Sequence, residues 1–256
     1  MRIALVTLLL AALTPAQAGE CSAQSGPHTA ALVELYTSEG CNSCPPADRW
    51  LQGLGARGYA PDRVVPLSLH VNYWDYIGWK DPYAQQRFSD RQRRLAQVMR
   101  ARIVYTPQVL LQGQDFRSWH TGSFDQAVAR INAQPPQASI ALRVQGGRGD
   151  TLDTQVSAAL RDPAGQPDAV LYLASYENKL VSSVAAGENR GRTLHHDYVV
   201  FEWVGPIAFA GGKIEARRAL PLLPQAVRAN SGVAAFVQNR RSAEVLQALM
   251  LPACPA

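Results

Sequence analysis

Ala31-Leu32-Val33-Glu34-Leu35-Tyr36-Thr37-Ser38-Glu39-Gly40-Cys41-Asn42-Ser43-Cys44-Pro45-Pro46-Ala47-Asp48 is the stretch that decides the reading of this 256-residue chain. Its first seven residues are apolar and β-leaning, which predicts a strand. Pro45 to Arg57 predicts a helix, so a Cys-x-x-Cys falls between a strand and a helix. Two cysteines at that spacing close a disulfide within one turn, and the opened pair attacks other disulfides. Cys41 is the expected attacking thiol, because helix-start amides and their partial positive charge favour its thiolate. Cys44 is the expected resolving thiol, one turn in, which displaces the captured client. Pro45 and Pro46 cost little there, since first-turn amides have no intrahelical partner. Ser43 suits the N-cap and Asp48 the opening turn. Two other readings of the pair stay open, an inert staple and a metal site, in particular copper(I) held by soft sulfur with a histidine.

Working outward, the first half alternates. Val33 to Thr37 and Val64 to Asn72 predict strands, Ala47 to Arg57 and Gln85 to Arg102 helices. Pro107 to Gln112 and Phe116 to Thr121 predict a hairpin across Gly113-Gln114, and Phe124 to Ala133 a helix. That order predicts a mixed sheet with helices on both faces. Gln134-Pro135-Pro136-Gln137 reads as a linker. Beyond it, 139–144, 151–160, 169–177, 194–204 and 233–239 are strand candidates separated by turn residues, the pattern of an antiparallel sandwich. Ser242 to Leu251 reads as a last helix that brings Cys254 back to the first domain.

Met1 to Ala18 has the pattern of a secretory signal: Arg2, an apolar run from Ile3 to Leu13, and Ala16-Gln17-Ala18 before the expected cleavage. A periplasmic or secreted product is therefore expected, without stable membrane insertion. In an oxidising compartment disulfides persist. With Cys41 and Cys44 as the working pair, Cys21 and Cys254 remain, and a structural bridge between the chain ends is the economical pairing. The formal charge of +5 comes almost entirely from arginine, with Lys80, Lys179 and Lys213 the only lysines. No nucleic-acid module is visible, so that class of partner is excluded.

A second signal lies at Ile103-Val104-Tyr105-Thr106-Pro107-Gln108-Val109, where a proline opens a strand after a helix. Together with the dithiol, it resembles the thioredoxin superfamily from about Thr29 to Ala133. In that superfamily a cis-proline stands beside the dithiol, which implies that Thr106 and Pro107 dock a client backbone. The longer pattern from Glu34 to Asp48, Leu69-His70-Val71-Asn72-Tyr73-Trp74-Asp75-Tyr76-Ile77-Gly78-Trp79 and Gly187-Glu188-Asn189-Arg190-Gly191-Arg192-Thr193-Leu194 are similar to exported proteins of domain-of-unknown-function family 1223. The resemblance implies an α/β thioredoxin-like N-terminal domain over 29–134, a mixed sheet flanked by helices. A C-terminal, mostly β, sandwich-like domain with a C-terminal helix would cover 138–256. The expected activity is thiol–disulfide exchange on proteins, with no dissociable cofactor and no metal. The expected partners are clients with thiols or disulfides and an unidentified redox recycling partner.

Several neighbours carry two readings each. Glu34 lies near the place of the superfamily's buried proton-relay carboxylate, offset by one residue, and reads as a relay or as a structural glutamate. His70 could tune Cys41 or be a core histidine. Tyr73, Trp74, Tyr76, Trp79 and Tyr83 form either a client-binding lip, with Trp74 central, or a mini-core pinning an insertion. The arginines at 87, 91, 93, 94, 100 and 102 read as a solvated helix face. Glu188 to Arg192 with His195-His196-Asp197 reads as an anion site or a structural turn. Adjacent histidines in a strand face opposite ways, which argues against a metal.

Overall fold

The computed structural model describes residues 20–147 and 149–253. The signal reading at 1–18 and the Cys254 half of the terminal bridge lie outside the described residues, although Cys21 is itself disulfide-bonded.

The chain begins with β1 (Glu20–Gln24), β2 (Ala31–Thr37), α1 (Pro45–Gln52), β3 (Val64–His70) and α2 (Gln86–Val98). There follow β4 (Gln108–Leu111), β5 (Gln114–Asp115), α3 (Ser123–Asn132), β6 (Ala138–Gly146), β7 (Thr151–Leu160) and β8 (Ala169–Glu177). β9 (Leu180–Ser183), β10 (Thr193–His196), β11 (Val199–Ala208), β12 (Lys213–Pro221), β13 (Ser231–Asn239) and β14 (Val245–Pro252) complete it.

An eight-stranded sheet in the order β14-β13-β8-β11-β3-β2-β4-β5 dominates. β2 and β3 are parallel, β4 runs antiparallel to β2, and β11 joins β3 through the pair Val199–Ser68. Strands from both sides of Pro135-Pro136 thus share one sheet. It curls on itself: the Ala30 N–H donates to Gln247 Oε1 and the Gln112 side chain to the Val245 carbonyl, tying the β14 end to β2 and β4. The curl encloses Leu32, Tyr36, Leu67, Leu69, Tyr172, Phe236 and Met250, with Phe88 and Leu95 of α2. Each such side chain contributes about 1.5–3 kcal/mol on burial. The opposite face of β2, with Ala31, Val33 and Leu35, packs on Ala47 and Leu51 of α1 and Phe124 and Val128 of α3. Layers on both sides explain why all of β2 is buried. A separate four-stranded antiparallel sheet, β1-β6-β7-β12, lays Ile140, Leu142, Val156 and Leu220 against Leu171, Val233 and Leu249 of the large sheet.

This overturns the expected fold class. The described residues are mostly β, with 42% in strands and 17% in helices, and they hold three α-helices. This does not match an α/β thioredoxin-like domain of a mixed sheet flanked by helices, followed by a mostly β sandwich-like domain. The expected last helix, 242–251, is the strand β14. Its Ala, Leu, Gln and Met are good helix formers, but all of Val245 to Leu251 is buried and pairs antiparallel with β13. Burial on both faces erases the alternation that marks a strand, and packing overrides propensity. The second hairpin strand, 116–121, is also absent, because β5 ends at Asp115. Arg91 does not belong to a solvated helix face. It is buried inside the curl, with Nε 2.6 Å and Nη2 3.0 Å from the two Glu34 carboxylate oxygens.

Candidate dithiol site

Cys41 and Cys44 form a disulfide, with Cα atoms 5.5 Å apart. Cys44 occupies the N-cap of α1, and its carbonyl accepts from the amides of Ala47 and Asp48 at 2.8 and 3.1 Å. Pro45 and Pro46 occupy the first turn, as the chemistry of helix starts allows. Asn42 and Ser43 are exposed at the tip, whereas Cys41 is 1% and Cys44 0% exposed. The sulfur expected to attack is therefore covered.

Two segments close over it. From one side, Trp74 packs so tightly on Gly40 that a Cβ there would stand 3.0 Å from the Trp74 Cβ. The Trp74 indole N–H donates to Thr106 Oγ1 at 2.7 Å. Thr106 and Pro107, half-buried and joined by a cis peptide bond, thereby meet the dithiol loop through Trp74. From the other side comes the loop before β10. Asn189, fully buried, donates to the carbonyls of Glu39 and Cys41 at 2.8 and 2.9 Å. Glu188 accepts from the Asn42 N–H at 3.0 Å. The Glu188–Arg192 part of the polar cluster thus lies as a turn on the dithiol loop, whereas His195 and His196 belong to β10.

Beneath the disulfide lies a buried polar chamber. β2 ends at Thr37, β3 at His70, and both side chains share the α1 face with Leu35 and Val64. α1 contributes Asp48, and β10 contributes His196. His70 Nδ1 lies 2.8 Å from Asp81 Oδ2, which also accepts the Glu39 N–H at 2.8 Å. His196 Nε2 lies 3.1 Å from Glu39 Oε1, while the Trp79 indole donates to Glu39 Oε2 at 2.8 Å. The two imidazoles meet edge to face, 4.9 Å between centroids. Burial works against a charged His70, but Asp81 outweighs it, with Asp48 and Glu39 adding to the effect, and the imidazole pKa rises to about 8. Burial also works against a charged Asp81, yet His70 and two backbone amides hold its pKa below the usual range. Burial pushes Asp48 up, against the pull of His196 and His70. Among the described residues His70 Nε2, His196 Nδ1 and Asp48 Oδ1 have no hydrogen-bond partner, while the Thr37 hydroxyl beside Asp48 helps to hold its pKa down.

Glu34 is not part of this site. Its side chain points to the opposite face of β2, into the curl, where Arg91, Tyr36 and the face of Trp203 (4.7 Å from the Arg91 guanidinium carbon) surround the pair. Glu34 thus faces away from α1 and the dithiol. Sequence reasoning missed Asp48, Glu39, Asp81 and His196 as one cluster. Asp48 was visible only as a first-turn acid, although its i,i+4 spacing from Cys44 was a usable signal. Among the described residues, no group of three or more His, Cys, Asp or Glu could hold a metal ion, and no helix is long and apolar enough to cross a membrane.

A family model described as "Protein of unknown function (DUF1223)" matches residues 32–238. The chain belongs to the DUF1223 family. That span holds the dithiol, the chamber and all but one residue each of β2 and β13. No curated protein matches this DUF1223 chain. Among solved structures, protein AGR_C_4864 from Agrobacterium tumefaciens is similar at 22% identity and a TM-score of 0.63, over 91% of this chain and 98% of that one. HBP35 of Porphyromonas gingivalis is similar at 16% identity and a TM-score of 0.66, over 90% of this chain and 76% of its own. At these identities the likeness concerns the fold alone.

Proposed function

We propose that this DUF1223 protein performs thiol–disulfide exchange on client proteins, with Cys41 attacking and Cys44 resolving. The observation that carries the reading is the Cys41–Cys44 pair at the head of α1, next to a buried acid and two imidazoles. Helix-start amides favour the thiolate, and nearby titratable groups move protons as thiols open and close. Thr106, Pro107 and Trp74 border the Cys41 loop and would receive the client chain. A kinship with the thioredoxin superfamily enters only through the Cys-x-x-Cys pattern and its Thr-Pro neighbour. A dithiol reductant or disulfide oxidant must recycle the pair, and a periplasmic or secreted setting would supply such partners. No dissociable cofactor enters this reaction.

Because Cys41 is covered, exchange requires the Asn189 loop or the Trp74 segment to swing aside. Their hold is a few hydrogen bonds, each worth about 0.5–1.5 kcal/mol net. The test is insulin reduction in the presence of a small dithiol, comparing wild type with Cys41→Ser. Turnover above background in wild type, lost in Cys41→Ser, supports exchange. Equal background rates refute it.

The cover itself favours a second reading, a stapled binding scaffold whose disulfide never opens. Gentle reduction followed by alkylation separates the two, since a permanent staple stays unlabelled at both cysteines. Copper(I) binding by the reduced pair is the third reading, and copper titration of the reduced protein addresses it.

A further inference from the structure

We infer that the turn sealing the dithiol is also the docking site of the reductant that recycles it, with Arg190 and Arg192 receiving carboxylates borne beside the reductant's thiol. This rests on the exchange reading above and names the partner's chemistry, an anionic thiol.

Gly187 to Arg192 is two tight turns in series. The Arg190 N–H donates to the Gly187 carbonyl at 3.2 Å, and the Arg192 N–H to the Asn189 carbonyl at 3.0 Å. Its base is closed by the Gly191 N–H on the Val184 carbonyl at 2.8 Å and the Val184 N–H on the Arg192 carbonyl at 2.9 Å. One side of this turn is packed. Asn189 is buried on the Glu39 and Cys41 carbonyls, and a Cβ at Gly187 would stand 3.2 Å from the Trp79 Cβ. The other side is open. Arg190 and Arg192 are exposed, and a Cβ at Gly191, between them, would meet nothing within 4 Å. Among the described residues neither arginine side chain has an ion pair or a hydrogen bond. Glu188, the one acid of the turn, already accepts from the Asn42 N–H. Two free guanidinium groups against one engaged carboxylate leave this surface net positive. Asn189 and Arg192 end one turn, so their Cα atoms lie within about 7 Å, and the Asn189 amide is 2.9 Å from the Cys41 carbonyl. That puts both charges on the order of one to two Debye lengths from the disulfide at ordinary salt, near enough to steer an incoming anion. Guanidinium groups also match carboxylates in shape, two N–H donors to two oxygens.

The cysteines are joined in this structure, so the next exchange they can undergo is reduction. The partner's thiolate attacks Cys41 Sγ, a mixed disulfide forms, the Cys41–Cys44 bond breaks, and Cys44 leaves as thiolate. A second partner thiol then attacks the partner sulfur of the mixed disulfide and frees Cys41. The protein gains two electrons and two protons, and the partner is left as a disulfide. Arg190 and Arg192 take no part in these bonds. They gather the anionic partner on the very turn that has to swing aside before Cys41 can be reached.

The test reduces the oxidised protein with mercaptopropionate, mercaptoethanol and cysteamine, which are anionic, neutral and cationic thiols of similar size. Thiolate concentrations are matched, and opening is followed by alkylation and mass analysis of the Cys41 and Cys44 peptides. Rates are read as ratios to mercaptoethanol, so that a loosened cover, which speeds all three alike, drops out. Wild type is expected to favour the anionic over the cationic thiol by about fivefold at about 0.01 M salt, where charges act over about 30 Å. The preference should fall towards one at about 1 M, where they act over about 3 Å. The double variant Arg190→Gln, Arg192→Gln should lose it at low salt, and Arg190→Lys, Arg192→Lys, which keeps both charges, should retain it. Equal rates for the anionic and cationic thiols in wild type, or an undiminished preference in the glutamine variant, overturn the docking site and leave exchange standing. Loss of the preference in the lysine variant overturns it too, since the cause would then be the shape of the turn. Should none of the three thiols open the Cys41–Cys44 bond of wild type, the exchange reading falls and the docking site with it. If the glutamine double variant fails to fold, each single variant must lower the preference on its own.

Discussion

Asn189 reaches back 148 positions to donate its side-chain amide to the Cys41 carbonyl at 2.9 Å. The same nitrogen holds the Glu39 carbonyl at 2.8 Å, so a single side chain fixes the loop that carries the first sulfur. Asn189→Ala is expected to leave both carbonyls short of a donor and to cost about 1–3 kcal/mol. It should also raise the rate at which reduced Cys41 reacts with iodoacetamide. An alkylation rate equal to that of wild type would remove Asn189 from the cover.

His70 makes stability depend on pH in a defined direction. An unfolded histidine titrates near 6.5, and His70 is raised to about 8 in the folded protein. The folded state therefore binds this proton more tightly. Its contribution is complete below pH 6.5 and is lost as pH climbs through 8, by about 2 kcal/mol. The lowered Asp81 reports the same interaction and is not added to it. Urea unfolding of the disulfide-intact protein at pH 6 and pH 9 should show the loss, and His70→Gln should abolish it.

Glu34 and Arg91 make a buried pair inside the curl, at 3% and 1% side-chain exposure for the arginine and glutamate. Removing one partner strands the other, so Glu34→Gln is expected to cost about 3–5 kcal/mol. Replacing both with Leu and Met should cost less than the single change. Because Glu34 faces away from α1, the rate at which folded, reduced Glu34→Gln reacts with oxidised glutathione should match wild type. A slowed reaction would put Glu34 back at the dithiol.

Trp74 joins the dithiol loop to Thr106. Trp74→Phe keeps most of the packing on Gly40 and loses the bond to Thr106 Oγ1. About 1 kcal/mol of stability should go with it, measured by thermal or urea unfolding. If Trp74 is a lip for clients, Trp74→Ala lowers insulin reduction more than it lowers reaction with glutathione, whose small size needs no lip. Equal losses in the two assays identify a packing role alone.

The strand before the dithiol and the helix after it were legible because both signals are local: a run of β-formers, then two cysteines and two first-turn prolines. β14 was not, since Ala248, Leu249 and Met250 are helix formers whose strand state is imposed by pairing with Ala234 and its neighbours. The inward placement of Arg91 was equally hidden. Its spacing matches the solvated arginines around it, and its partners Glu34 and Gln238, 57 and 147 residues away, mark the difference. His195 and His196 point opposite ways, as adjacent strand residues do: His195 is exposed and His196 buried. What nothing local could reveal was the partner of His196, because Glu39 precedes it by 157 residues. Contacts across such separations depend on the path of the whole sheet rather than on neighbouring residues.

Synthesis runs from the amino end, so Cys41 and Cys44 leave the ribosome long before the asparagine that seals them. An oxidant that arrives in that interval needs no loop to swing aside, whereas one that arrives later meets a sulfur already roofed.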